Sequence, residues 1–432
     1  MDDTAPQADS RPLGSPFWKL WTSSGVSNLA DGILKTAMPL VALRFTDSPV
    51  LISGVTLALT LPWLLFALPA GALADRVDRR HAMLGANTVR AGLLAALGLA
   101  LALDLGSLWL LYVVAFGIGI TETLYDTTTQ SILPQVVPRS RLPRANGRLI
   151  AAELTANQFF GPPLGGFLVA VGLATSLLAP AALWAVAGGV LLMMRGDHRI
   201  TRSGAQTTLR ADIAEGLRFL WGHQVLRWMA VMVGTANFAS NMTFSILVLF
   251  AVGPASPMGL SEPAFGVLMI TVAAGSLLGA LTAEHTESLL GRARTLMLSM
   301  PACAVLVGIP AVTAYPLLVG SGFFLGGMAI ATWNVITVSL RQRVTPDHLL
   351  GRVNSGYRLV AWGTMPLGAA TGGVIAQVFG LTTAFTVAAL LTLSLVVVIL
   401  VRLTDAHMDR AEREAEEAKS APSNLRSQEP ET

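Results

Sequence analysis

With 53% hydrophobic residues, 13% charged residues and a mean hydropathy of +0.60 over 432 positions, the chain is too apolar for a soluble domain, which averages about 25% charged. Its net charge of +3 is too small to mark a nucleic-acid binder, and its single cysteine, Cys303, excludes an intramolecular disulfide. The composition is that of an all-helical, polytopic membrane protein: the apolar runs are continuous, without the alternation of outer-membrane barrel strands.

In chain order, residues 1–16 are polar and begin MDDTAPQADS. They lack the basic start and short apolar core of a cleaved signal peptide and are expected to form a disordered tail. Twelve candidate spans follow, at about 18–45, 50–73, 82–104, 107–132, 146–170, 173–194, 226–252, 263–284, 294–312, 315–340, 353–378 and 381–403. The first carries a polar stripe of Ser24, Asn28, Asp31 and Lys35. Asp31 and Lys35 stand four residues apart and can pair on one face. Such a pair serves either as a proton site tuned by Lys35 or as a static packing contact. After the second span comes the basic loop GALADRVDRR, 71–80.

The fourth span ends in GITETLYDTTTQ, 119–130, with Glu122 and Asp126 one turn apart. A charge at mid-bilayer costs roughly 2.5–3.5 kcal/mol even on mild scales, so both acids are functional candidates. Glu122 lies deeper and has no partner in its own helix. It either serves as a titrating group or stays neutral and hydrogen-bonded to a neighbouring helix. In the fifth span Glu153, Asn157, Gly161 and Gly165 share a face, with Arg148 and Arg144 as expected partners for Glu153. Pro162 and Pro163 remove backbone donors and kink this span.

The joint at 195–225 holds Leu209, Ile213, Leu217 and Leu220 at helical spacing, with Arg210, Asp212, Glu215 and Arg218 between them. It reads as an amphipathic helix at the membrane surface, or as a linker packed on helix ends. The seventh span repeats the polar stripe as Gly234, Asn237, Asn241 and Ser245, so Asn28, Asn237 and Asn241 are expected on facing cavity walls. The tail at 404–432, with DRAEREAEEAK, reads as charged and solvated, with a composition that permits a helix. Intramembrane bases are Lys35, Arg90 and Arg358.

Orientation follows from the loops. Even-numbered loops hold DRVDRRH, PRSRLPRANGR, RGDHRITR, GRAR and RQRVTPDHLLGR; the odd-numbered loops contain no Lys or Arg. The positive-inside rule puts the even loops and both termini in the cytoplasm. The chain also repeats itself. Gly71 and Gly279, Pro138 and Pro346, Arg144 and Arg352, and Asn146 and Asn354 are each separated by 208 residues. Gly25 and Gly234, Asn28 and Asn237, and Ala30 and Ala239 are separated by 209. Shared offsets in separate segments point to duplicated six-helix halves, 17–194 and 226–403, with a substrate held between them.

No ATP-binding G-x-x-x-x-G-K-S/T is present, so a gradient is expected to drive transport. The six histidines lie in loops or the tail without metal-ligand spacing, and no intramembrane nucleophile constellation argues for an enzyme. No cofactor and no nucleic-acid partner is expected.

The loop at 71–80 resembles motif A of the major facilitator superfamily, G-x-x-x-D-R-x-G-R-R/K. Gly71, Asp75, Arg76, Arg79 and Arg80 match, while Asp78 replaces the second glycine, where a strained left-handed turn is expected. Gly161, Pro162, Gly165 and Gly166 resemble motif C, the G-P-x-x-G-G signature of the superfamily's exporters. The resemblance implies that motif A latches the outward-facing state. It makes Asp126 a partner of Arg76 or Arg79, with Arg90 as the alternative, and sets Glu153 at the inner gate. The family's basic fourth-span motif is not visible; GITETLYD occupies that region.

ADGILKTAMPL, ETLYDTTTQSILPQVVP and IAEGLRFLW complete a pattern similar to the branch that includes macrolide and multidrug exporters and the enterobactin exporter. That branch implies a monomeric inner-membrane protein working by alternating access. It would export amphiphilic drugs or secondary metabolites with protons as coupling ion and Asp31, Lys35 and Glu122 as the coupling or substrate residues. A siderophore exporter and a transport-inactive sensor or scaffold are the alternatives.

Overall fold

A computed structural model describes residues 13–74, 77–194, 209–346 and 349–420. Asp75, Arg76 and most of the expected N-terminal tail lie outside the described residues. The first half contains α1 (Ser15–Ala42), α2 (Pro49–Ala74), α3 (Arg79–Ala102), α4 (Leu108–Val136), α5 (Leu142–Leu154), a π-helical turn (Thr155–Phe160), α6 (Gly161–Val171) and α7 (Leu173–Leu192). A connecting helix, α8 (Leu209–Gly222), follows. The second half contains α9 (Gln224–Phe244), α10 (Leu247–Ala251), α11 (Glu262–Leu290), α12 (Arg292–Val312), α13 (Pro316–Val344), α14 (Leu350–Gly363), α15 (Met365–Phe379) and α16 (Leu381–Arg402), and α17 (Asp405–Ser420) ends the described chain.

Nine helical stretches among the described residues, counting α14–α15 as one, are long and apolar enough to cross a bilayer. The remaining expected spans are α1, α5 to α6 and α9 to α10, whose polar stripes and backbone breaks lower their hydropathy. The 29 residues of α4 rise about 43 Å, more than the roughly 30 Å hydrocarbon layer. Its threonines stay inside the helix by bonding back to carbonyls one turn earlier: Thr123 to Gly119, Thr127 to Thr123, Thr128 to Leu124 and Thr129 to Tyr125. Helix starts follow local chemistry. The Ser107 and Ser261 hydroxyls accept from the amides of Leu110 and Ala264. Gly291 and Gly380 open α12 and α16 at φ of 82° and 88°, a backbone conformation that favours glycine.

Packing repeats between the halves. In the first, α1 packs on α6 and α7, α2 on α4, and α3 on α4 and α7. In the second, α9 packs on α15 and α16, α11 on α13, and α12 on α13 and α16. The molecule is an all-α bundle of two pseudo-symmetric halves.

The apolar cores show where the halves meet. On the odd-loop side a single core unites them, joining Leu40, Ile52, Leu111 and Leu177 to Ile246, Phe265, Val319 and Phe385. On the even-loop side there are two cores, Phe17, Leu20, Met83 and Ile132 in one half and Leu226, Leu296, Leu340 and Ile399 in the other. The crossing contacts agree. Gly166 of α6 lies against the Glu262 backbone, Gly266 of α11 against Pro162, and Gly373 of α15 against Ser53. The Ser48 hydroxyl donates to Gln377 Oε1 at 2.6 Å. The halves are therefore sealed at the odd-loop end, and the cleft between them opens toward the basic loops.

Two expectations are corrected. Asp78 sits at φ −61° and ψ 123°, an extended conformation without left-handed strain, and its carboxylate caps α3 by accepting from His81 N. A cap needs a short acceptor, not a glycine, so the departure from motif A is locally stabilising. The C-terminal segment is also more than a solvated tail. In α17, Met408 and Ala411 are buried, Glu412 pairs with Arg292 at 2.9 Å and Arg343 at 3.5 Å, and Asp405 accepts from the Ala293 amide. The helix thus ties together the even-loop ends of α12 and α13. The linker helix α8 packs on α14 through Gly216 and Leu217 and through a Glu215–Arg352 ion pair.

Candidate functional site

Asp31 and Lys35 share a helix face, but they do not pair with each other. Asp31 Oδ1 meets Arg90 Nη1 of α3 at 3.4 Å, and Lys35 Nζ meets Glu122 Oε1 of α4 at 3.5 Å. The in-helix pairing expected from their spacing gives way because α3 and α4 each supply an opposite charge to one of the two side chains.

The two pairs differ in setting. Arg90 has no exposure, and Asp31 only 7%. The Arg90 guanidinium lies 5.1 Å from the Tyr125 ring and 5.4 Å from the Trp184 ring, so aromatic faces take the place of water. Among the described residues its Nε and Nη2 have no acceptor, which leaves Asp31 as the one carboxylate that it bonds, with Asp126 farther off in its field. Breaking such a buried pair from one side costs about 3–5 kcal/mol. Lys35 is by contrast 52% exposed and Glu122 15% exposed. That pair lines the cleft, and with Lys35 half exposed, separating it costs far less.

Further charges surround this wall. Asp126 lies in the field of Glu122, Arg90, Asp31 and Lys35. The bases acting on Glu153 are Lys35 and Arg358. The Arg148 guanidinium instead stacks over Trp18 at 5.0 Å, so the expected pairing of Glu153 with Arg148 or Arg144 is replaced by a view across the cleft. Arg79 donates to the Ser131 carbonyl at 2.6 Å, and Arg80 to the carbonyls of Leu191 and Leu192 at 2.8 Å. These motif-A arginines cap the even-loop ends of α4 and α7. Of the bases named for Asp126, Arg90 is near it, while Arg76 lies outside the described residues.

From the second half, Arg358 stacks on Trp362 at 4.2 Å, and Trp362 meets Trp63 of the first half edge-to-face at 4.5 Å. The charges of Asp126 and Glu153 act on Arg358 across the cleft. Trp63 and Trp362 are candidate cavity aromatics in the sequence, and Arg90 a candidate partner of Asp126, but the pairing of Arg90 with Asp31 and the stacking of Arg358 on Trp362 were not visible there. The signal was the rule that an intramembrane arginine demands an acid, but several acids qualified.

Motif C works by close approach. Gly161 abuts the Gly32 backbone, Gly165 abuts Ile33, and Gly32 in turn abuts Asn157, so α1 and the fifth span touch backbone to backbone. Pro162 and Pro163 lack the amides that would bond to Gln158 and Phe159, and the preceding turn widens to a π-helix. Gly71 lies within α2. The expected cavity asparagines are half-buried. Asn28 donates to Ser24 O, Asn237 to Ala361 O and Asn241 to Asn237 O.

The family model for transmembrane secretion effectors matches residues 11–428. The chain is 29% identical over 404 residues to the multidrug efflux pump Tap of Mycolicibacterium fortuitum, covering 87% of this chain and 93% of that protein. It is 23% identical over 377 residues to macrolide efflux protein A of Streptococcus pyogenes, covering 84% and 90%. Similar solved structures include nucleoside transporter NupG, with a TM-score of 0.69 at 14% identity over 90% of this chain and all of that one. A bacterial homologue of the iron transporter ferroportin in an inward-facing state gives 0.66 at 14% identity over 93% and 100%. The duplicated bundle, the charged cleft wall and these similarities together establish that the chain belongs to the transmembrane secretion effector family of the major facilitator superfamily.

Proposed function

We propose that the protein is a proton-coupled exporter of amphiphilic drugs or secondary metabolites. It works by alternating access in the cytoplasmic membrane, with both termini and the even loops inside, and is captured here open to the cytoplasm. The observation that carries this reading is the Lys35–Glu122 pair, weakly held at 3.5 Å on the wall of a cleft that opens toward the basic loops. The efflux activity named for two relatives supports the direction of transport.

Asp31 and Glu122 divide the work. Arg90 is fully buried and depends on Asp31, so protonating Asp31 would strand a guanidinium in an apolar setting. Asp31 therefore serves as the anchor that ties α1 to α3 through the ion pair. Glu122 faces the cleft and exchanges protons. A proton from outside neutralises Glu122, loosens Lys35 and weakens the hold on a substrate. Its release inside restores the pair and the binding state. Coupling requires only that the two conformations differ in affinity for the proton. Beside the buried Asp31–Arg90 pair, the acids Glu122, Asp126 and Glu153 stand against the bases Lys35 and Arg358, a balance that favours neutral or cationic compounds. Arg358 and Glu153 attract across the cleft and serve closure on the cytoplasmic side.

The test is transport in proteoliposomes loaded with a macrolide, a lipophilic cation or a siderophore, before and after a pH jump. Movement of the macrolide or cation should follow the proton gradient and stop when the gradient is dissipated. Gradient-independent movement would refute proton coupling.

A further inference from the structure

The two halves share a fold but not a filling. In the first, Arg90 is boxed by Asp31, Tyr125 and Trp184. Tyr125 and Trp184 correspond to Trp333 and Thr392, 208 residues on, and Asp31 corresponds to Ser240, 209 residues on. Cys303 of α12 lines one cavity with these three counterparts, as Arg90 of α3 contacts their equivalents in the first half, and α3 and α12 pack on equivalent neighbours. The place of the guanidinium, its counter-ion and its larger aromatic wall is thus taken by a thiol and two hydroxyls.

Such replacements remove volume that the backbone does not recover. A cavity of about 80 Å³ lies at this position, lined by Ser240, Cys303, Trp333, Asn334 and Thr392 and bordered by Asn237. It has room for roughly two or three water-sized groups at about 30 Å³ each. None of its lining residues is an acid or a base of the Asp, Glu, Lys, Arg or His type. Among the described residues, the side chains of Ser240 and Asn334 make no hydrogen bond within the protein, so their donors and acceptors remain for a ligand. Asn334 is exposed and corresponds to Asp126, while Asn237 corresponds to Asn28, so the mouth faces the cleft.

We propose that this cavity is the recognition subsite of the transporter and takes a small neutral hydrogen-bonding group of the exported compound, a hydroxyl, carbonyl or amide. The inference rests on the efflux reading above. A charged group is excluded because nothing in the cavity would compensate it. The first half then carries charge and coupling, and the second half reads the neutral end of the molecule whose bulk lies in the cleft.

Cys303 is the chain's only cysteine, so one thiol reports on the cavity. In purified protein, methyl methanethiosulfonate should modify Cys303, and erythromycin, which is rich in hydroxyls, should slow that reaction severalfold. Thr392→Trp restores the large side chain of the first half. It should weaken erythromycin binding about tenfold, the loss of one or two buried hydrogen bonds. Ethidium, which lacks hydroxyl and carbonyl groups, should leave the rate of Cys303 modification in the parent protein within about twofold of its ligand-free value. Export of erythromycin with no protection of Cys303 and full binding by the Thr392→Trp protein would overturn the subsite while sparing the efflux reading. If the intact protein exports neither compound, the efflux reading falls and the subsite falls with it. The labelling arm needs no variant and stands if Thr392→Trp fails to fold.

Discussion

Arg90 shows how one residue constrains its neighbours. A fully buried guanidinium whose only hydrogen-bonded carboxylate among the described residues is Asp31 makes that acid a structural necessity. Asp31→Asn is therefore expected to destabilise the protein by about 3–5 kcal/mol, seen as a lower melting temperature in detergent. Pairing it with Arg90→Met should recover much of the loss, because the stranded charge is gone; additive losses in a double-mutant cycle would count against this. Glu122→Gln should behave differently. Lys35 is half exposed and water can solvate it, so the stability change should stay within about 1 kcal/mol. Gradient-driven export should nevertheless fall by an order of magnitude or more in the proteoliposome assay, about the loss expected for a missing proton-transfer group. The sequence displayed all of these charged residues but not their partners. Helical periodicity places Asp31 and Lys35 on one face, and it carries no information on which neighbouring helix stands at which azimuth.

At the scale of elements, the helices and their duplication were legible because apolar length and shared offsets survive in the sequence. What escaped was decided by tertiary contact. Asp78 looked like a strained glycine substitute and is an N-cap; α17 looked like a free tail and is docked through Met408 and Glu412. Deleting residues 404–432 uncovers that apolar seat and should cost about 2–3 kcal/mol, measurable as a lower melting temperature. The motif-C glycines make another prediction. A Cβ at Gly166 would meet the Glu262 backbone of the other half, so Gly166→Val should pry the odd-loop end apart. Spin labels on α2 and α15 should report a longer distance there than in the parent; an unchanged distance would contradict the close-packing account. A pH effect belongs to the linker. Burial pushes His223 below its ordinary value, outweighing the pull of Glu414, and its Nδ1 accepts from the Leu226 amide to cap α9. The unfolded chain therefore takes up this proton first as pH falls below about 6.5. Stability should drop from neutral pH into the acid range, and His223→Asn, which keeps an acceptor, should flatten that part of the profile.

Over the whole molecule, a shared core on the odd-loop side and divided cores on the basic side make a cleft with one mouth. The cleft is lopsided. The first half brings buried and cleft-facing acids and bases, while the second answers with asparagines, hydroxyls, a thiol and Arg358 stacked on Trp362. The direction of the opening was not legible in the sequence, because the apolar runs that form both ends of the bundle read alike until the helices are packed. The assignment of the proton to Glu122 is the centre of the account. It is tested most directly by calorimetric titration of erythromycin at pH 7 in two buffers of different ionisation enthalpy, which counts the protons exchanged on binding. The intact protein should release protons as it binds, and Glu122→Gln should bind without releasing them. Equal proton release from the two proteins, or none from the intact one, would contradict the account.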